Sequence, residues 1–291
     1  MTLTLHLYLH LVTPAKAGVQ HRLLKFRKQV MDSRLRGNDE VGQEEVDETP
    51  LPHAFPFANA PHLRHRLRMI PRTHLGTALV PGGDTLELYS RGDDFMIVLD
   101  RNELMSTRMN GSEIALAEMT LQRLADNAAP HLLIGGYGMG FTLRAALAMI
   151  GPKGQATVAE LVPEIIAWAK GPMAAVADGC LDDPRVHLHM GDVGQVIRSY
   201  GAVYDGILLD VDNGPDGLTR KGNDGLYSAV GLAAAMRALR PNGILAIWSA
   251  APDKKFSQRL EEAGFAVDEV AVRARTNGKG PRHIIWFARK V

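Results

Sequence analysis

A chain of 291 residues, 46% hydrophobic and 22% charged, carries enough apolar material for a substantial core, in one large domain or one domain with appendages. Its formal net charge of +1 excludes an overall electrostatic bias toward nucleic acid or an anionic membrane, and its single cysteine, Cys180, excludes an internal disulfide framework and a cysteine-rich metal centre. No run approaches the roughly 18 apolar residues of a membrane-spanning helix, and the cysteine usage fits a reducing cytoplasm.

Residues 1–68 do not read as a folded domain and are expected to be disordered or a spurious extension. MTLTLHLYLHLV has the hydropathy of a signal peptide, but no positive region precedes it, and His6 and His10 interrupt the run. TPAKAGVQ and MDSRLRGNDE resemble peptides read through bacterial intergenic repeats, which makes Met69 a candidate start. GQEEVDETP and LPHAFPFANAPH have linker composition, and HLRHRLR reads as a solvated basic patch.

The texture changes at Leu75. LGTALV, DTLELYS, DFMIVLD and ELMSTR are short β-type runs separated by turn residues, so residues 69–111 are expected to form a small antiparallel β region. Asn110 then reads as a helix cap, with Glu113 three residues on, and Ile114, Ala117, Leu121 and Leu124 mark one apolar face.

Residues 112–291 alternate strands and helices. The stretch HLLIGGYGMG runs from an apolar strand into a helical pattern, FTLRAALAMI, through Gly135, Gly136, Gly138 and Gly140. Glycines at such a turn permit backbone that other residues resist, and the N–H groups at a helix start favour anionic or polar ligands. QATVAEL, RVHLHM, YDGILLDVD and ILAIWSA read as strands. PEIIAWAKGPMAAV, VGQVIRSY, SAVGLAAAMRALR and DKKFSQRLEEAG read as the intervening helices. This pattern predicts a parallel sheet covered on both faces. FAVDEVAVRA and RHIIWFARKV, joined through Asn277-Gly278-Lys279-Gly280, add an antiparallel edge pair.

In sheets of this kind ligands sit at the carboxyl ends of the strands. Three acids fall there: Glu160, placed to accept from a ribose diol; Asp192, placed to accept from an adenine amine; and Asp210, beside the reactive end. A dinucleotide loop requires a small residue where this chain has Phe141 or Leu143, so G-x-G-x-x-G/A fails on sterics. The spacing present, G-x-G-x-G, is that of S-adenosylmethionine folds. His187 and His189 alternate on a strand without a third ligand at convincing spacing, so no metal is expected. Trp168, Trp248 and Trp286 read as core, and Tyr137 either stacks on an adenosine or fills the loop.

From about Thr85 onward the chain resembles the spermidine/spermine synthase family. The resemblance rests on SEIALAEM, LLIGGYGMGFTLRAAL, Glu160, Gly191-Asp192 and YDGILLDVDNGPDGL. It implies an α/β, Rossmann-like methyltransferase-type sheet, mostly parallel with an antiparallel edge pair, preceded by the small β region. It also implies transfer of an aminopropyl group from decarboxylated S-adenosylmethionine to a small-molecule amine. Gly136, Gly138, Gly140, Glu160 and Asp192 would then hold the donor and Asp210 would be catalytic. Glu113, Asp212 and Asn213 would face the amine, and residues 213–226 would form a gate loop. The chain departs from the family pattern at Met139, where an aspartate usually holds the donor's amine, at Leu116 and Ala117, which replace a Tyr-His pair, and at Asn213 in place of a second aspartate. Methyl transfer from intact S-adenosylmethionine and a nucleoside-binding module without turnover stay open as alternatives. A homodimer is compatible with the reading, and neither nucleic acid nor membrane is an expected partner.

Overall fold

A computed structural model describes residues 70–124, 126–211 and 225–291. The first strands, β1 (Thr73–Leu79), β2 (Thr85–Arg91), β3 (Asp94–Leu99) and β4 (Asn102–Ser106), make the expected antiparallel meander in the order β1-β2-β3-β4. Leu86, Leu88, Ile97 and Leu99 point from it into a core shared with the helices that follow. Contact is close enough that a Cβ on Gly76 would stand 2.7 Å from the indole Nε1 of Trp168.

Helix α1 (Gly111–Arg123) leads into β5 (His131–Gly135), the glycine loop and α2 (Phe141–Leu147). Next come β6 (Gln155–Glu160), α3 (Pro163–Lys170), α4 (Ala174–Ala177), a 3-10 turn (Cys180–Asp182), β7 (Val186–Met190) and α5 (Val193–Ser199). The chain ends with β8 (Tyr204–Leu209), α6 (Ala229–Ala238), β9 (Leu239–Ser249), α7 (Lys254–Glu262), β10 (Phe265–Arg273) and β11 (Arg282–Lys290). These seven strands form one sheet, β10-β11-β9-β8-β5-β6-β7. All pairs from β9 through β7 are parallel, and β11 is antiparallel to both β9 and β10, as the pattern predicts.

Two local expectations shift. The single helix read over PEIIAWAKGPMAAV divides, because Gly171 closes α3 with its N–H on the carbonyls of Ala167 and Trp168. The buried face of α1 is Leu116, Ala117, Thr120 and Leu121, so Ile114 lies at its margin, partly exposed. The side chain of Asn110 makes no capping bond, whereas Ser228, Asp253 and Asp192 cap α6, α7 and α5.

The seven-stranded sheet has a core on each face. One gathers α1, α2 and α3 with the meander; the other gathers α5, α6 and α7 around Phe256 and Trp286. All three tryptophans are buried. Strand β7 is the exception, a largely exposed edge on which His187 and His189 face solvent. Among the described residues no helix is long and apolar enough to cross a membrane. Successive strands run one way from β5 to β6 and β7, and the other way to β8 and β9. The crevice above β5 and β8 is therefore the switch point where such sheets place a ligand.

Candidate active site

The glycine loop sits in that crevice. Gly136, Gly138 and Gly140 have φ of 83°, 56° and 81°, the left-handed region that costs other residues about 1–2 kcal/mol each. The space they leave is filled by the protein itself: an added Cβ would meet the Asp210 carbonyl oxygen at 2.8 Å from Gly136, Met105 at 3.2 Å from Gly138 and the Tyr137 hydroxyl at 2.6 Å from Gly140. Tyr137 thus fills the loop, lying over Gly140 with its hydroxyl 3.4 Å from the buried Cys180 Sγ. Burial raises the pKa of both groups, so neither ionises in the neutral range.

Glu160 ends β6 underneath this loop. Its Oε2 accepts the Tyr137 N–H at 2.9 Å and its Oε1 accepts the Val162 N–H at 2.8 Å. Sequence spacing places it as a ribose acceptor; the geometry adds that it ties the loop to the next helix. Burial raises its pKa, and the backbone donors of Val162, Tyr137, Leu161 and Gly138 work in the opposite direction. Asp192, partly exposed at the end of the neighbouring strand, accepts the Gln195 N–H at 3.0 Å with Oδ1 as the cap of α5.

Asp210 follows β8, and its N–H donates to the Gly135 carbonyl at 3.1 Å, which fixes it directly beside the loop. Thr142, in the first turn of α2, places its hydroxyl 3.2 Å from Asp210 Oδ2 and 3.4 Å from the carbonyl oxygen of Glu113. One side chain therefore joins the loop helix, the β8 end and the start of α1. Glu113 is not part of a capping box. Its Oε2 instead accepts the Ser112 hydroxyl at 2.9 Å, and that hydroxyl also lies 2.9 Å from Nδ1 of His283 on β11.

The two carboxyl groups titrate differently from free ones. Desolvation raises Asp210 to about 6 despite the Thr142 hydrogen bond. Desolvation first, and the Asp210 charge second, raise Glu113 to about 8. Near pH 7 the pair thus holds one proton, on Glu113, and one negative charge, on Asp210. Burial lowers His283 to about 4, so its ring is neutral there.

The predicted residues Gly136, Gly138, Gly140, Glu160 and Asp210 are brought together, with Glu113 joined through Thr142 and Asp192 at the adjacent strand end. Asp212 and Asn213, and the expected gate loop up to residue 224, lie outside the described residues. Sequence reasoning passes over Thr142, Ser112 and His283; no spacing rule links residues 142 and 283 to Glu113. Among the described residues no cluster of three or more His, Cys, Asp or Glu is arranged to hold a metal. An open groove of about 830 Å³ runs along α1 and α2, lined by Ile114, Phe141, Arg144 and Arg185 among others, but Asp210 is not part of its wall.

Curated relatives include a polyamine aminopropyltransferase from Mycobacterium tuberculosis, 28% identical over 197 residues, or 65% of this chain and 36% of that protein. Polyamine aminopropyltransferase 1 from Streptomyces coelicolor is 28% identical over 50% of this chain and 28% of its own length. This chain therefore spans about a third or less of the curated relatives it matches. Among solved structures, spermidine synthase from Thermotoga maritima superimposes with a TM-score of 0.60 at 17% identity, covering 75% of this chain and 73% of that one. A spermidine synthase in complex with the transition-state analogue AdoDATO gives a TM-score of 0.59, also at 17% identity, over 75% and 72%. Those two likenesses establish the methyltransferase-like fold. Residues 115–261, half of the chain, match the spermine/spermidine synthase domain. That stretch holds the glycine loop, Glu160, Asp192 and Asp210, and by it the chain belongs to the spermine/spermidine synthase family.

Proposed function

We propose that this protein transfers an aminopropyl group from decarboxylated S-adenosylmethionine to a small-molecule amine. The observation that carries the reading is the Asp210–Glu113 pair beside the glycine loop, singly protonated at neutral pH. The carbon to be moved is already activated by the donor's sulfonium, and the thioether leaves without a proton. The obstacle lies with the acceptor, since a free alkylamine has a pKa near 10.4 and is protonated at pH 7. An ionised Asp210 binds and orients the ammonium, then takes its proton as the C–N bond forms, a contribution of about 10²- to 10⁴-fold.

In this reading the donor's thioadenosine lies on Gly136, Gly138 and Gly140, with Glu160 directed to the ribose and Asp192 to the adenine amine. The loop's positive-φ backbone and the spare lone pairs of Glu160 fit such a group. Asp212 and Asn213 are assigned with Glu113 to the amine. The negative charge of the pair disfavours a donor that keeps its carboxylate, which favours the decarboxylated form over intact S-adenosylmethionine. Methyl transfer from the intact donor is the second reading. It draws on one position: Met139 is buried and apolar where the family usually has an aspartate for the donor's amine.

The test is calorimetry against both donors and methylthioadenosine, followed by turnover of decarboxylated donor with putrescine. Binding and transfer are expected, with Asp210→Asn lowering kcat by about 10²- to 10⁴-fold. Failure to bind all three compounds would remove the nucleoside assignment. Equal rates in wild type and Asp210→Asn would remove Asp210 from its role. Methyl transfer by the intact donor would replace the reading with the second one.

A further inference from the structure

The pair at the reactive end is connected to a residue outside the glycine loop. The Ser112 hydroxyl is completely buried and stands 2.9 Å from both Glu113 Oε2 and His283 Nδ1. Either link alone reads as local structure. Together they form an unbroken chain from Glu113, through one hydroxyl, to an imidazole that is only partly buried.

The chain is held by close packing. The Gly111 N–H donates to the Ala274 carbonyl at 2.8 Å, and a Cβ on Gly111 would stand 2.6 Å from the Arg275 carbonyl carbon and 2.7 Å from the Thr276 nitrogen. The start of α1 is therefore pressed onto the β10–β11 hairpin, which bears His283. The other face of the imidazole meets Trp248 edge-on, with ring centroids 4.7 Å apart. A hydroxyl between a carboxyl and a neutral imidazole, in a dry and immobile setting, can pass a proton without building charge on any member.

We propose that Ser112 and His283 are relay residues that carry the proton released by the attacking amine from the Asp210–Glu113 pair to solvent. This rests on the aminopropyl-transfer reading. As the new C–N bond forms and the S–C bond breaks, the amine nitrogen gives one proton to Asp210, leaving two protons on the pair. Glu113 gives the proton on Oε2 to Ser112 Oγ while the Ser112 hydroxyl gives its own to Nδ1 of His283, and the ring releases the hydrogen on Nε2 to water. One proton leaves and the pair returns to one. Hydroxyl rotation and exchange of the ring hydrogens with water restore the starting arrangement.

The experiment combines nitrogen-15 NMR of histidine-labelled full-length protein with kinetics. His283 is assigned by the resonance lost in His283→Gln. A relay requires Nδ1 bare while Glu113 is protonated and Nδ1 hydrogen-bearing once Glu113 is ionised, so the His283 tautomer is expected to change with the titration of Glu113. That change is expected to vanish in Ser112→Ala and Glu113→Gln. A single tautomer from pH 5 to 9, or a change that persists in Ser112→Ala, overturns the relay. In turnover, Ser112→Ala is expected to lower kcat roughly tenfold, part of the general acid–base contribution, with KM for the amine unchanged. Ser112→Thr, which keeps the hydroxyl, is expected to restore kcat. Equal kcat in wild type, Ser112→Ala and His283→Gln overturns the relay while leaving aminopropyl transfer standing. A tautomer that follows Glu113 in a protein without transfer activity overturns the function instead.

Discussion

The carboxyl pair makes a strong prediction about stability. Glu113 ordinarily titrates at 4.5 and is held at about 8 in the fold, so the native state binds its proton more tightly than the unfolded chain does. The corresponding stability is fully present below about 4.5 and is lost as pH rises through about 8. The difference, 8 − 4.5 = 3.5 units at about 1.4 kcal/mol each, sets a ceiling of about 5 kcal/mol. Water drawn into the site on ionisation relieves part of it, leaving a loss on the order of 2–4 kcal/mol between pH 5 and pH 9. Glutamine has the shape of the protonated acid and still accepts the Ser112 hydroxyl. Glu113→Gln should therefore match wild type within about 1 kcal/mol at pH 5 and exceed it by about 2–4 kcal/mol at pH 9. Urea unfolding of both proteins at pH 5, 7 and 9, analysed for midpoint at constant m, measures this directly. A variant whose stability follows the same pH curve as wild type refutes the placement of Glu113 against Asp210.

Two further substitutions test the loop. Gly140→Ala adds left-handed strain of about 1–2 kcal/mol and forces the Tyr137 hydroxyl away from a Cβ only 2.6 Å distant, for a total of about 2–4 kcal/mol. Gly179→Ala has a similar φ of 66° with nothing within 4 Å, so it should lose only the strain, and equal losses at the two sites would show that Tyr137 is not packed there. Glu160→Ala leaves the buried N–H groups of Tyr137 and Val162 without their acceptor and should lower stability by about 2–4 kcal/mol in the absence of any nucleoside. An unchanged unfolding midpoint would reduce Glu160 to a ligand contact alone.

The local grammar of the chain carries most of the architecture. Alternating apolar strands and helical patterns, broken by glycine and proline, set out both sheets before any contact is known. The glycine spacing and Glu160 mark the loop, because left-handed backbone and a nearby acceptor are local requirements. The strand-end position of Asp210 follows from the same periodicity. The boundary at Gly171 is missed because an apolar stripe continues across it, and a left-handed or extended glycine ends a helix whatever the stripe does.

Other features are set by contacts that no local pattern encodes. Glu113 reads as a capping residue from its distance to Asn110, yet the packing of α1 against α2 turns it toward Asp210, 97 positions away in the sequence, and makes it a shared proton site. Tyr137 has two readings in sequence, and the left-handed turn at Gly140 decides that it fills the loop. Ser112 and His283 are 171 residues apart and meet only because Gly111 lets the start of α1 press against the β10–β11 hairpin. Periodicity, caps and turns act over a few residues, and so the sequence alone determines the elements and their order. Desolvation and the pairing of charges depend on what surrounds a group in space, and so only the tertiary structure decides which carboxyl holds the proton.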